Sequence, residues 1–259
     1  MVKSISNIAW GLAVLAVFVL GSCDDFYSTS WGTVRSYDSS KIALSEGNLK
    51  EWKKRAVGNP KLAKTLVEKI INDLDGKSGA ERAAFQSAGI EFAIEQSGMG
   101  VKILELAGSD LSKIDSQEGV TNLLKKVQDG LSSVKSAADN IAAIANKSDI
   151  INEDGKPEFD PADPYGKTAD PSNVGLAVMV LALAEFPDID TEKDLLEQIP
   201  DLRLTGESPP VKIVEESQPT DNEIVLAAYL NLIAKDNTDR FNNNPITKGI
   251  RSAFLSGGK

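Results

Sequence analysis

The sequence predicts an all-α fold, in which antiparallel helical hairpins stack as an α-solenoid or pack as an irregular helical bundle. Apolar residues recur every three or four positions over most of the chain after residue 40. Short turns rich in Gly, Pro and Asn separate these periodic segments, as antiparallel helix pairs require. Strand signals are almost absent, which argues against α/β folds with Gly-rich phosphate loops.

Five helices are predicted in the first half of the body. Ser39 or Ser40 caps the first helix, and Gly58-Asn59-Pro60 ends it and starts the second. A Gly-rich break at 76–79 precedes the third helix. A long fifth element follows Ser116, because its apolar residues keep one rhythm up to Ala145. The expected helices therefore cover 41–57, 61–74, 80–97, 99–107 and 117–145.

The periodicity stops in an acidic, Pro-rich loop at 146–172 and then resumes. The run from Val174 to Phe186 is apolar enough to be buried on nearly all sides. Thr191 caps a short helix to Ile199, and Val211-Lys212-Ile213-Val214 is suited to one short strand. Two closing helices are expected at 224–234, opened by Asp221 or Asn222, and at 245–254, with Pro245 in its first turn.

Small residues lie where neighbouring helices would approach closely, for example at Ala88-Gly89 and Ala227-Ala228. In this respect the body loosely resembles the helical-repeat, tetratricopeptide-like lipoproteins of bacterial envelopes. The Trp-Leu-Gly-Tyr pattern that marks those repeats does not recur at their 34-residue period. The solenoid and the irregular bundle therefore both stay open.

The first 22 residues have the layout of a secretory signal peptide. Lys3 supplies positive charge, and residues 8–20 form an apolar run. As a helix this run spans about 20 Å, shorter than the roughly 30 Å hydrocarbon core of a bilayer. We therefore predict that residues 1–22 are removed as a signal peptide. The alternative is a permanent membrane anchor.

Leu20-Gly21-Ser22-Cys23 follows the apolar run directly, and Cys23 is the single cysteine of the chain. This tetrapeptide resembles the lipobox of bacterial lipoproteins, in the relaxed form of spirochaetes. The resemblance implies cleavage before Cys23 once diacylglycerol is attached to its sulfur, and anchoring to the cell envelope through acyl chains such as palmitate. The alternative is an ordinary secreted protein with a free thiol.

Residues 23–40 are expected to form the lipidated N-terminus and a stalk, followed by a single all-α domain at 41–259. The lipoprotein resemblance implies a body that faces the periplasm. Asp24-Asp25 resembles the signal that retains enteric lipoproteins at the inner membrane, but both the inner and the outer membrane remain open. The aromatic residues of the stalk either dock on the body or lie among lipid headgroups; they are Phe26, Tyr27, Trp31 and Tyr37.

Composition removes several classes of function. The chain has no His and one Cys, so Ser-His-Asp and Cys-His triads, His-containing zinc sites and internal disulfides are excluded. A net charge of −10 and a pI of about 4.7 argue against a protein that grips nucleic acid. We predict a protein that is not an enzyme and has no cofactor and no metal centre.

Two acidic features are candidates for calcium binding or acid–base catalysis. Gly155 at the sixth position of an EF-hand loop would place Ile150 at position 1 and Pro161 at position 12, so the motif fails at both ends. A calcium site of another kind between Asp154 and Asp170 stays open, against a solvated loop. Glu91 and Glu95 lie one helical turn apart, and we expect them to be solvated or ion-paired rather than catalytic.

Two surfaces are candidates for binding. The basic patch Lys50, Lys53, Lys54 and Arg55 flanks Trp52 and suits anionic headgroups or an acidic partner, if it is more than the wet face of a helix. The apolar helices 174–186 and 224–234 are suited to line a groove, if they are not simply core. The candidate groove residues are Val178, Met179, Leu183, Leu226, Tyr229 and Leu230.

These observations predict a non-catalytic, lipid-anchored envelope protein that acts as a protein–protein interaction module. By analogy with helical-repeat lipoproteins, its partner belongs to a transport or envelope-assembly system. The alternative is a carrier whose helices enclose a lipid or another hydrophobic small ligand.

Overall fold

A computed structural model describes residues 39–102, 114–128, 133–145, 150–152, 156–159, 164–186, 188–191, 193–235 and 239–256. The chain from Asp38 to Lys259 forms one compact unit. It is mostly helical and folds as a packed helical bundle, which confirms the all-α prediction. The α-helices are α1 Leu49–Ala56, α2 Pro60–Leu74, α3 Gly79–Ser97, α4 Gln117–Gln128, α5 Val134–Ala145, α6 Pro164–Thr168, α7 Pro171–Glu185, α8 Asp221–Lys235, α9 Asp239–Asn242 and α10 Pro245–Phe254.

Two long helices, α3 and α7, organise the bundle. Helix α3 packs against α1, α2, α5, α6 and α7, and α7 packs against α5, α8 and α10. Helix α10, at the end of the chain, returns to pack against α4. In a solenoid each repeat touches only its neighbours along the chain. The contacts of α10 with α4 and α7 therefore favour the irregular bundle.

Asparagine or aspartate followed by proline starts three of the helices. The side chains of Asn59, Asp170 and Asn244 each accept a backbone N–H in the first turn of α2, α7 and α10. The following proline occupies the first helical position, where its missing N–H costs nothing. The predicted starts of α2 and α10 are confirmed, whereas α7 begins three residues before the predicted Val174.

Helix α8 starts with a reciprocal cap that differs from the predicted one. The backbone N–H of Glu223 donates to Thr220 Oγ1 over 3.1 Å, and the N–H of Thr220 donates to the Glu223 carboxylate over 2.7 Å. The cap is therefore Thr220, and Asp221 and Asn222 lie in the first turn. The Thr-x-x-Glu spacing identifies this capping box in the sequence.

Other predicted boundaries are wrong. The first helix begins at Leu49, because two short 3₁₀ turns at Ser39–Lys41 and Glu46–Asn48 replace its predicted start. The long element 117–145 is two helices, α4 and α5, and Gly130 lies in the sequence between them. The predicted helix 99–107 is helical over residues 99–102, and the remainder lies outside the described residues.

A small hairpin lies between α7 and α8. Leu202–Leu204 (β1) pairs antiparallel with Val211–Ile213 (β2), with Leu202 opposite Ile213. The strand predicted at 211–214 is therefore present, over Val211–Ile213. The sequence does not predict its partner β1. The helix predicted from Thr191 to Ile199 is wrong: among the residues of this segment that the structure describes, the helical part is a 3₁₀ turn at Leu196–Gln198.

Close approach of helices at small residues is confirmed at Gly89. A Cβ atom at Gly89 would lie 2.8 Å from Ile144 Cδ1 and 3.0 Å from Ile70 Cγ2. Such distances are too short for packed carbon atoms, so glycine lets α3 approach α2 and α5 closely. Within the described residues, no helix is both long and apolar enough to cross a bilayer.

Candidate functional site

The structure places all six candidate groove residues in the core. Val178, Met179, Leu226, Tyr229 and Leu230 are 0% exposed and Leu183 is 6% exposed. They belong to α7 and α8, which pack against each other and against α5. The side chains are therefore part of the core and do not line a groove, and a ligand would have to displace this packing to reach them.

Tyr229 organises an aromatic cluster that secures the acidic segment 146–172 to α8. The ring of Phe159 lies 5.1 Å from that of Tyr229 and 5.6 Å from that of Tyr165, measured between centroids. The hydroxyls of Tyr165 and Tyr229 are 2.9 Å apart and share a hydrogen bond. All three side chains are buried. The described part of the acidic segment is therefore packed into the fold and is not a solvated, extended loop.

Asn231, two residues after Tyr229 on α8, holds two segments at once. Its side-chain amide nitrogen donates to the carbonyls of Pro157 and Val211, over 2.8 and 2.9 Å. Its Oδ1 accepts the N–H of Val211 over 2.8 Å. The side chain is 1% exposed, so these bonds are shielded from water. Asn231 thus joins the acidic segment and strand β2 to the core.

Part of the acidic segment that could bind calcium lies outside the described residues. Within the described ranges, no group of three or more Asp, Glu, Cys or His side chains is arranged to hold a metal ion. Asp154, Asp160 and Asp163 lie outside these ranges. The carboxylate of Glu158 forms an ion pair with Lys235 of α8.

The predicted basic patch divides into one half-buried contact and an open surface. Lys53 Nζ lies 2.7 Å from Glu91 Oε1 on α3, and both side chains are largely shielded, with 29% and 27% exposure. Lys50, Lys54 and Arg55 are exposed. Arg55 pairs with Glu51 over 3.1 Å, and its guanidinium lies 5.2 Å from the centre of the Trp52 ring.

The open part continues past the end of α1. Val57 is 65% exposed, which is unusual for a large apolar side chain in this structure, and Lys61 is exposed in the first turn of α2. We call this the N-terminal basic surface. It consists of Lys50, Lys54, Arg55, Val57 and Lys61, and the exposed Glu51, which pairs with Arg55, lies on the same helix.

Glu91 and Glu95 fasten this surface to α3. Glu91 Oε1 accepts from Lys53 and also from the Asn173 amide of α7, over 2.7 and 2.9 Å. Glu95 Oε2 accepts the backbone N–H of Gly58, over 3.3 Å. Gly58 has φ of 68°, a left-handed conformation that glycine adopts readily. The two carboxylates therefore hold α1 and the turn between α1 and α2.

The environment of Glu95 disfavours its charge. Burial raises the pKa of the Glu95 carboxyl above its ordinary value of 4.5, and the nearby charge of Glu91 adds to this rise. The N–H of Gly58 opposes the rise because it donates to the carboxylate. Glu91 is ion-paired, as expected from the sequence, and Glu95 serves as an acceptor for the turn.

Two open depressions lie elsewhere on the surface. One, of about 350 Å³, is lined by Phe241, Lys248, Arg251 and Ser252, and the other, of about 330 Å³, by Ser116, Gln117, Thr121 and Thr191. Arg251 already donates to Asn242 Oδ1 over 2.7 Å. Neither depression brings together a set of groups suited to a reaction.

No protein family, curated protein or solved structure matches the chain. The arguments for function therefore rest on the residues of this chain. Cys23, the predicted lipidation site, and the aromatic residues of the stalk lie outside the described residues. Among the described residues, the N-terminal basic surface is the predicted binding feature that remains accessible.

Proposed function

We propose that the protein is a lipid-anchored envelope lipoprotein whose all-α body acts as an interaction module for another envelope protein. The observation that carries the proposal is the position of the single cysteine. Cys23 directly follows Leu20-Gly21-Ser22 and an apolar run, at the one place where acylation requires it. Each acyl CH₂ group buried in a bilayer contributes about 0.8 kcal/mol, so several chains hold the protein on a leaflet.

The architecture of the body supports an interaction role. Helices α3, α7 and α8 enclose a packed core, and the groove candidates are part of it. Binding would therefore use the outer surface of a rigid helical body, as protein-recognition modules do. A partner in a transport or envelope-assembly system fits such a tethered module, since the anchor keeps the body beside membrane proteins.

Acylation is tested by expressing the full chain in bacteria with labelled palmitate. We expect label in the wild-type protein and a mature N-terminus at Cys23 by mass spectrometry. Cys23→Ala should take no label, whereas Ser22→Ala, which keeps a small residue before the cleavage site, should be labelled normally. Label in Cys23→Ala would contradict the proposal.

The interaction role is tested by crosslinking in intact envelopes. We expect a defined partner to crosslink to the anchored wild-type chain, with the yield reduced in Cys23→Ala because the local concentration is lost. A wild-type chain that is acylated and yields no defined crosslink would contradict the interaction role and leave the anchor standing.

A further inference from the structure

We propose that the N-terminal basic surface docks on an anionic phospholipid leaflet, so that the body lies with its α1 end on the membrane. This inference rests on the proposed acylation of Cys23. It assigns to the exposed Lys50, Lys54 and Lys61 a partner of stated chemistry: the phosphate headgroups of acidic lipids.

The charge distribution along the chain favours this orientation. Between residues 41 and 64 there are seven Lys or Arg and two Glu, although the whole chain has 28 Lys or Arg against 38 Asp or Glu. An anionic leaflet attracts the first region and repels the acidic remainder of the protein. Electrostatics alone therefore selects the α1 end as the one that faces the membrane.

The contacts around α1 leave its lysines available. Lys50 and Lys54 lie one helical turn apart and are exposed, and Lys61 is exposed four residues after Val57. None of the three forms an ion pair with another residue of the described ranges. Lys53, by contrast, points into the fold and is held by Glu91. The open lysines can exchange water for headgroup phosphates without breaking a contact in the protein.

Apolar groups accompany these charges. Val57 is 65% exposed at the end of α1, and the ring of Trp52 is only partly covered, with Arg55 over its face. Trp52 lies two positions from Lys50 and from Lys54 and faces another side of α1. The exposed Val57, three positions after Lys54, suits the headgroup region of a bilayer beside basic side chains.

Because the acylated Cys23 would hold the body near the membrane, even a weak contact between the basic surface and the leaflet is enough for docking. Fifteen residues lie between Cys23 and residue 39, where the described body begins, and a fully extended chain over these sixteen residue steps spans at most about 55 Å. An acylated Cys23 therefore keeps the basic surface within reach of the leaflet at all times, at a high effective concentration. A protein partner has to be recruited before it can compete for the same surface.

Hydrogen exchange on the anchored full chain tests the inference. The acylated protein is reconstituted in vesicles of phosphatidylcholine alone, or with about one third phosphatidylglycerol. We expect slower exchange over residues 49–61 on the anionic vesicles only, and reversal of this protection in ~0.5 M salt, which screens exposed charges. Each lysine at an anionic surface changes the docking equilibrium about fivefold. The triple variant Lys50→Gln/Lys54→Gln/Lys61→Gln should therefore lower it about a hundredfold and remove the protection.

A control variant matches the change in net charge. Lys125→Gln/Lys126→Gln/Lys135→Gln alters three exposed lysines on α4 and α5 and should keep the protection. Equal protection on neutral and anionic vesicles, or equal loss in both triple variants, would overturn the inference. Protection that appears only after an acidic envelope protein is added would overturn it in favour of a protein partner. Palmitate label on the same samples separates the two proposals: acylated protein without protection fails this inference alone, and unlabelled protein fails the proposed function.

Discussion

The acidic segment 146–172 and the N-terminal basic surface are both charged stretches, yet the fold treats them in opposite ways. The described part of the acidic segment is tied to α8 through Phe159, Tyr165 and Asn231. The basic surface is held from beneath, by Glu91, Glu95 and the packing of α1 on α2 and α3, and its outer lysines are open. A run of charge therefore does not determine whether a segment faces water. Phe159 and Tyr165, together with the amide of Asn231, place the described part of the acidic segment inside the fold.

The largest expected effect comes from breaking the attachment of the acidic segment at Tyr229. Tyr229→Ala removes a fully buried ring that contacts Phe159 and Tyr165, and should lower the free energy of unfolding by about 3–5 kcal/mol. Chemical denaturation measures this loss. Hydrogen exchange should accelerate over α6 and stay unchanged over α1, because α1 does not depend on the aromatic cluster.

Tyr229→Phe is the matched control. It keeps the ring and removes the hydroxyl that shares a hydrogen bond with Tyr165, so a loss of about 1 kcal/mol is expected. A loss as large as that of Tyr229→Ala would show that the polar contact, and not the aromatic packing, holds the acidic segment.

The second effect concerns the amide that joins two segments to α8. Asn231→Ala leaves the buried N–H of Val211 without its acceptor and should cost about 1–3 kcal/mol in chemical denaturation. Asn222→Ala on the same helix removes a single bond, to Asp139, and should cost about 1 kcal/mol. Equal losses would contradict the special role of Asn231 in holding both β2 and the acidic segment.

The helices that sequence predicts best are those whose signals are local. Asn59-Pro60 and Asn244-Pro245 contain both the capping side chain and the first helical residue, so the sequence predicts the starts of α2 and α10. Strand β1 is three residues long, too short for a clear alternation, and its place depends on hydrogen bonds to β2, whose Val211 is in turn bonded to Asn231, 20 positions later. Such a contact leaves no periodic signal.

The candidate site shows the same limit. The sequence identifies the cluster of basic residues but does not separate Lys53 from Lys54, since both are lysines on one short helix. What separates them is Glu91, which lies 38 positions away on α3 and reaches Lys53 alone. The anchoring role of Phe159 and Tyr165 could have been predicted from the sequence, because they are the two aromatic residues in a polar, Pro-rich stretch.

The third prediction concerns the two glutamates beneath the basic surface. At pH 7, Glu95→Gln should stabilise the protein and Glu91→Gln should destabilise it. Burial raises the pKa of Glu95 in the folded protein above its ordinary value of 4.5. At pH values between the ordinary pKa and the raised pKa, the folded state therefore binds more protons than the unfolded state. The free energy of unfolding therefore falls as pH rises through that window, and the penalty is complete above it. Glu95→Gln keeps an acceptor for the Gly58 N–H and should stabilise the protein at pH 7, with the gain vanishing below the ordinary pKa.

Glu91→Gln supplies the comparison, because Glu91 is paired with Lys53 and hydrogen-bonded to Asn173. Its replacement should destabilise the protein at pH 7 by about 0.5–1 kcal/mol. Urea denaturation of both variants at pH 5 and pH 7 measures whether each substitution raises or lowers the free energy of unfolding. Destabilisation by Glu95→Gln at pH 7 would mean that its contact with the turn outweighs the cost of burying its charge.

The smallest expected effect on stability distinguishes two adjacent lysines of α1, one held by Glu91 and one open to solvent. Lys53→Gln breaks the ion pair with Glu91 and should lower the free energy of unfolding by about 0.2–1 kcal/mol, less at high salt. Lys54→Gln touches no such pair and should leave it unchanged within about 0.5 kcal/mol. On anionic vesicles the order should reverse, because Lys54 faces the leaflet and Lys53 does not. If both lysines affected stability and docking alike, the division of this helix into a fastened side and an open side would be wrong.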